Sequence, residues 1–435
     1  MKLSVFQLIL LGTFVLGALI GLFVFATYTG KSKTNNTVGT VVIWGTLPES
    51  GIQATLTALS QADQSFKSVS YVKKDPATLP SDIAIAIATG ASPDLILASQ
   101  EELHPLEKFI SPISTSVISA NTFVSTFIDE GRIFMAPGGA GYYGLPFLVD
   151  PLVLYSNRSI LSSNGVAQPP TTWEALTGLV PHFTVLTPSR QITRGLIALG
   201  AYNNVHNARG ILSTLFLQQG ISITSYSSSA TLVSNLGQSS SNNSRGTSVL
   251  GFYTQFADPS KVSYTWNTSL SNSTQMFLSG DLTLYFGYAS ESRYLQSANP
   301  NLNFTVSPVP QSQTSTTKGV YGLLYAFMIP RGVKNANGAI QAATLMVGSA
   351  NQAIAAGATG LVPANLNSLA NPPAADPGAA VAYAEALYSQ GWLSPAATDV
   401  DRVFSGMIGN VISGGSNLGE ALGDASRSLG SLLQQ

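Results

Sequence analysis

The run from Val5 to Ala26, VFQLILLGTFVLGALIGLFVFA, carries no charged residue and a single Gln. About 20 residues of this kind span a bilayer, whereas the apolar part of a secretory leader usually has about 7–15. The run therefore reads as a retained signal anchor, with cleavage after Val24-Phe25-Ala26 as the alternative. It is apolar on every face, which argues against a buried helix of a soluble protein. Lys2 before it and Lys31 and Lys33 after it leave the positive-inside comparison almost even. The large domain is placed outside the cell because it contains no further span. Residues 1–28 are thus expected to be a membrane helix, and 29–39, TGKSKTNNTVG, a polar tether.

The rest of the 435 residues exceeds what one simple core accommodates, so two lobes are expected. Only 9% of residues are charged, against roughly 25% in a typical soluble chain, so Ser, Thr, Asn and Gln supply the polar surface. A net charge of -1 with no block of like charges gives no footprint for nucleic acid. The absence of Cys excludes disulfides, thiolate catalysis, Cys-based metal sites and a lipoprotein anchor.

Beyond the tether, short β-branched runs alternate with helical periodicity. TVVIWGT (Thr40–Thr46) reads as a buried strand, and Ile52, Leu56 and Leu59 follow at helical spacing. DIAIAIATG ends a second helix at Gly90, and SPDLILAS (Ser92–Ser99) is again a strand. This alternation predicts an α/β layer with a mostly parallel sheet. Ligands on such sheets sit beyond the carboxyl ends of the strands, which puts Gly45-Thr46 and Ser99-Gln100-Glu101 on one rim. Further on, Thr171 and Glu174 suggest a capping box. The Ser/Asn-rich segment around residues 225–248 reads as a loop. DLTLYFGYAS and GVYGLLYAFMIPRG read as strands. Val400, Phe404, Met407 and Ile408 lie on one helical stripe, and Asn417 with Glu420 caps a last helix.

GAGYYG (Gly139–Gly144) matches G-x-G-x-x-G, but a strand follows where a dinucleotide site needs a helix. STTK (Ser315–Lys318) matches a penicillin-recognising motif whose partner motifs do not follow. His104, His182 and His206 show no metal-pair spacing, so neither a metal nor a cofactor is expected. No nucleophile–base–orienter set stands out. The recognition candidates are instead Trp44, Asp150, Tyr155, Trp266, Tyr288 and Tyr321, and Trp173 reads as core. Asp150 is singular: one carboxylate inside GYYGLPFLVDPLVLYSNRSIL, a segment otherwise of core type.

That segment and its continuation, SSNGVAQPPTTWEAL, resemble the central signature of the family 1 extracellular solute-binding proteins, the maltose-binding-protein-like receptors of ABC importers. VVIWG, ATGASPDLILAS, MFLSGDLTLYFGYAS and GGSNLGEALGDA resemble further elements of that family in the same order, covering nearly all of the chain after Val38. The resemblance implies a type II periplasmic-binding-protein-like fold, with a ligand held between two lobes that close about a hinge. Lobe one is expected to comprise 40–149 and 311–350, and lobe two 150–310 and 351–435. By resemblance, Asp150 lies on the first crossing and matches a sugar-binding acid; the alternative is an acid bonded to a loop amide. Glu101 matches a polar ligand position, and Tyr288 lies beside a position where an aromatic stacks on a sugar. Asp401 aligns with a stacking position and departs from it in chemistry. Trp44, Thr46, Trp266 and Tyr321 complete the expected ligand set. The implied partners are a sugar or other small solute and the membrane permease of an ABC transporter. A membrane-tethered sensor and an exported carbohydrate-active enzyme are the alternatives.

Overall fold

The computed structural model describes residues 38–434 apart from 238–239, 314–317 and 375. The expected anchor, all but the last two residues of the tether, and most of the STTK motif lie outside the described residues. Among the described residues no helix is long and apolar enough to cross a membrane.

Eight strands form the spine of one sheet: β1 (Val41–Gly45), β2 (Val69–Lys73), β3 (Leu95–Ser99), β4 (Leu145–Asn157), β5 (Val185–Leu186), β6 (Ile192–Ile197), β7 (Leu282–Tyr288) and β8 (Val320–Pro330). Their order is β2-β1-β3-β8-β4-β7-β6-β5. Part of the sheet follows the expected parallel rule: β1 runs parallel to β2 and β3, and β6 to β7, while the edge strand β5 pairs antiparallel with β6. The two longest break it, because β4 and β8 pair antiparallel with each other and with their other neighbours.

These two strands join the lobes. The first half of β4 pairs with β8, from Leu145 opposite Phe327 to Pro151 opposite Gly322, and its second half pairs with β7. All of β4 is buried, which is why it reads as continuous core rather than alternating. The lobe-one core gathers Ile43, Leu56, Leu97, Phe147 and Phe327. A larger core contains Leu154, Trp173, Phe216, Trp266 and Phe404 of lobe two and runs through the hinge into lobe one, where it takes in Leu79, Ile83 and Leu103.

Two contacts bear on the expected lobe boundaries. Helix Ser349–Thr359 packs on lobe one, where a Cβ on Gly51 would meet Thr359 at 3.0 Å. Gln311, expected in lobe one, bonds through its amide to the Thr171 carbonyl in lobe two. The chain returns to lobe one only along β8.

Local chemistry sets several elements. Ser99 and Glu102 form a capping box that starts helix Gln100–Leu106 directly from the end of β3. The cap of helix Trp173–Phe183 is Thr172, which accepts from the Ala175 amide; Glu174 reaches away to Gln313, so the box expected at Thr171 does not form. The Ser/Asn-rich segment holds a hairpin (Thr224–Tyr226 with Leu232–Ser234) and helix Ser240–Thr254, not a plain loop. In GAGYYG, Gly141 has φ +119, and a Cβ there would meet the Ile113 carbonyl at 2.2 Å. The motif is a tight approach to the Ile113 backbone.

Candidate functional site

Of the rim expected at the carboxyl ends of β1 and β3, the β3 end faces lobe two. The capping box turns the chain so that Gln100 and Glu101 leave β3 pointing across the hinge. Gln100, fully buried, donates to the Gly322 carbonyl at 2.8 Å and accepts from the Leu324 amide at 2.7 Å. It thereby holds β8 as a strand neighbour would. Gly322 is required there, since a Cβ would meet Ser389 Oγ at 2.0 Å.

Glu101 is 6% exposed. One oxygen accepts from the Tyr321 hydroxyl, and the other accepts from Arg209 Nη2 at 2.8 Å. Arg209 begins lobe-two helix Ala208–Gln218, so this ion pair spans the two lobes. The other nitrogen, Nη1, lies 3.0 Å from Asp401 and donates to the Ala397 carbonyl at 2.9 Å. Asp401 also accepts from the Tyr202 hydroxyl. Arg209 Nε is buried without a partner. Burial lowers the Arg209 pKa, but Glu101, Tyr321 and Asp401 more than offset it, so the guanidinium stays charged.

Tyrosines enclose this cluster. The Tyr288 hydroxyl approaches Gly210, where a Cβ would meet it at 2.8 Å. Burial, together with Glu101, raises the pKa of Tyr288 and Tyr321 well above the ordinary phenol value. Tyr325 is held high by burial and then by Asp150, Glu102 and Glu101, which places its hydroxyl among the same carboxylates. All three phenols stay neutral.

Asp150 answers its sequence puzzle in the other of the two ways left open. It is buried, and its oxygens accept from the Ser290 amide at 3.0 Å and the Ser290 hydroxyl at 2.6 Å. The Ala289 amide bonds the Pro151 carbonyl at 3.0 Å, and the Tyr155 hydroxyl donates to the Tyr288 carbonyl at 2.8 Å. The acid thus fastens the loop that carries Tyr288. Burial raises its pKa to about 7 against the pull of Ser290.

The expected set therefore divides. Glu101, Tyr321, Tyr288 and Asp401 come together, with Asp150 one step behind. Trp266 does not join them: it is fully buried in the lobe-two core and donates to Asn204 Oδ1 at 3.2 Å. Its neighbourhood reads as core because an indole with no exposed face has nothing left for a ligand. Trp44 and Thr46 stand at the end of β1, where the Trp44 ring lies under the Lys74 ammonium, 3.8 Å from its centroid. Arg209, Tyr202 and Tyr325 were missed, while Gln100 was expected on the rim without a role. Arg209 did leave a signal, as a lone charge opening the apolar stretch ARGILSTLF. Among the described residues no group of three or more His, Cys, Asp or Glu could hold a metal.

The arrangement can bind without chemistry. Two carboxylates, a guanidinium and several phenols meet at a seam between two lobes, with donors and acceptors suited to a polyhydroxylated molecule.

Solved structures share this architecture. The cyclic alpha-maltosyl-1,6-maltose binding protein from Arthrobacter globiformis has a TM-score of 0.72 at 13% identity, over 91% of this chain and 99% of that one. A cyclo/maltodextrin-binding protein complexed with maltotetraose gives 0.70 at 15%, over 91% and 97%. The maltose/maltodextrin-binding domain MalE from Bdellovibrio bacteriovorus, bound to maltotriose, gives 0.66 at 14%, over 91% and 100%. At such identities the likeness speaks for the fold. No curated protein sequence matches the chain. The family model that does match, described as bacterial extracellular solute-binding protein, spans residues 58–382, and the chain belongs to that family.

Proposed function

We propose that this solute-binding protein captures a neutral sugar or oligosaccharide between its lobes and presents the closed form to the permease of an ABC importer, leaving the ligand chemically unchanged. The carrying observation is the Glu101–Arg209–Asp401 cluster, to which both lobes contribute. Such a seam is completed only when the lobes are together. A ligand bonding both sides therefore stabilises the closed form by its differential affinity for it. Glu101 and Asp401 are the acceptors for ligand hydroxyls, Arg209 and Tyr321 the donors, and Tyr288 offers a ring face. Asp150 acts behind them by holding the Tyr288 loop. The lobes divide along β4 and β8, with helix Ser349–Thr359 in lobe one.

The apolar run before the tether supports retention at the outer face of the cell membrane, with the binding lobes outside. The sugar assignment is supported by relatives of the same fold whose structures hold maltotetraose and maltotriose. A thermal-shift screen of the full-length protein against mono- and oligosaccharides, amino acids and polyamines tests it. A ligand at 100 times its dissociation constant adds about 2.7 kcal/mol of stability. Sugars are expected to raise the melting temperature and the other classes to leave it unmoved; a response confined to amino acids or polyamines would refute the sugar assignment.

A further inference from the structure

Among the described residues, Arg190, Asn207 and Ala230 are the positions other than glycine with a left-handed backbone. Arg190 and Ala230 are exposed, and each turns a hairpin. Asn207, at φ +61, instead opens helix Ala208–Gln218, two residues before Arg209. A residue at that point of a helix is usually extended, and its side chain accepts from an amide of the first turn. Asn207 does neither, since its side chain makes no bond to its own helix. Left-handed backbone is unfavourable for a residue with a Cβ, although Asn tolerates it better than most. Such positions persist where the surroundings hold them, and they gather at functional sites.

Glu291 supplies the hold. It is half-buried, with 15% of its side chain exposed. Its Oε1 accepts from Asn207 Nδ2 at 2.6 Å and from the Tyr288 amide at 2.8 Å. Its Oε2 accepts from the Tyr285 hydroxyl, which lies 3.1 Å from Thr274 Oγ1. One carboxylate oxygen thus ties the start of the Arg209 helix to the backbone of Tyr288. Glu291 also packs closely on the end of β7: a Cβ on Gly287 would meet Tyr285 Cε1 at 2.7 Å and Glu291 Oε2 at 3.1 Å.

We infer that Glu291 is a positioning residue for ligand capture: through Asn207 and the Tyr288 amide it sets Arg209 and the Tyr288 ring in fixed relation, without touching the ligand itself. The inference rests on the reading above, in which Arg209 donates to the ligand and Tyr288 offers a ring face.

Full-length wild type, Glu291→Ala, Glu291→Gln and Asn207→Ala are titrated calorimetrically with three-unit gluco- and manno-oligosaccharides, well below their melting temperatures. Glu291→Ala and Asn207→Ala are expected to weaken binding about tenfold or more, as the loss of a hydrogen bond to a charged group does. Glu291→Gln keeps an oxygen that can accept both bonds and is expected to recover affinity to within about threefold of wild type. The same proteins, alone and combined with Arg209→Ala, are melted without ligand. Arg209→Ala is expected to lower the melting temperature of wild type, and that of Glu291→Ala by about half as much or less, because residues that act through one contact are not additive. Full additivity in the melts, or wild-type affinity in both Glu291→Ala and Asn207→Ala, overturns the positioning role and leaves sugar capture standing. Glu291→Gln binding as weakly as Glu291→Ala overturns it too, since the hydrogen bonds would then not be what matters. No binding of these sugars by wild type overturns the sugar reading, and the melts then decide by themselves whether Glu291 places Arg209.

Discussion

Asp150 is marked in the sequence as a lone acid in a core-type segment, and in the fold it is held by Ser290. A carboxylate in a fully buried strand must be satisfied, since an unpaired buried polar group costs about 1–3 kcal/mol; sequence alone does not say whether ligand or protein satisfies it. Here Ser290 does, through both its amide and its hydroxyl. Asp150→Ala is therefore expected to lower unfolding stability by about 1–3 kcal/mol in urea titrations. Ser290→Ala, which removes only the hydroxyl bond, should cost about 1 kcal/mol. The loss from Asp150→Ala should not exceed that from Ser290→Ala if the acid had no structural role. Glu101 was legible because it follows a strand at the rim of an α/β sheet. Arg209 was not, because only the fold brings the start of a lobe-two helix against lobe one. Trp266 failed for the opposite reason: a large aromatic in a loop has the same sequence appearance whether it lines a cleft or plugs a core.

Most elements were legible where their period or caps were strong. The buried strands β1, β3, β7 and β8, the stripe Val400–Ile408 and the Asn417–Glu420 box all form as their patterns require. The cap at Thr171 slipped by one residue because adjacent threonines offer the same hydroxyl, and only the backbone selects between them. The hairpin in the Ser/Asn-rich segment was hidden because its strands are three residues each, too short for alternation to register. The hinge elements carry two predictions. Ser99→Ala removes the cap that aims Glu101 across the seam and should cost about 1 kcal/mol by chemical denaturation. Gly322→Ala sets a methyl group against Ser389 Oγ at the crossing strand. It should destabilise by about 1–3 kcal/mol, as overpacking does. A Gly322→Ala protein as stable as wild type would mean that β8 does not pass this close to Ser389.

At the scale of the molecule, a chain poor in charge buries five carboxyls among the described residues: Glu101, Glu102, Glu130, Asp150 and Glu385. Burial raises Glu102, Asp150 and Glu385 to about 7 and Glu130 to about 8. Glu130 accepts from Ser389 with one oxygen and has no partner for the other. Because each folded value lies above the ordinary 3.8 or 4.5, the folded state holds these protons more tightly than the unfolded chain. Their stabilising contribution is complete below about pH 4 and is lost as pH rises through 7 to 8. The melting temperature is thus expected to rise by at least about 5 °C between pH 8 and pH 5. Glu130→Gln, which fixes the neutral form, should flatten that dependence. A melting temperature that falls over the same interval would contradict the assignment of these groups as buried neutral acids.

Two lobes that meet at one charged seam imply that a single side chain from lobe one can decide whether ligand is held. Calorimetric titration of full-length Glu101→Gln against wild type, with an oligosaccharide that wild type binds, reads this most directly. Glu101→Gln keeps the size of the side chain and removes its charge, so binding should weaken at least tenfold, about 1.4 kcal/mol, while the far-ultraviolet circular dichroism stays the same. An affinity equal to wild type would place the ligand away from the seam between Glu101, Arg209 and Asp401.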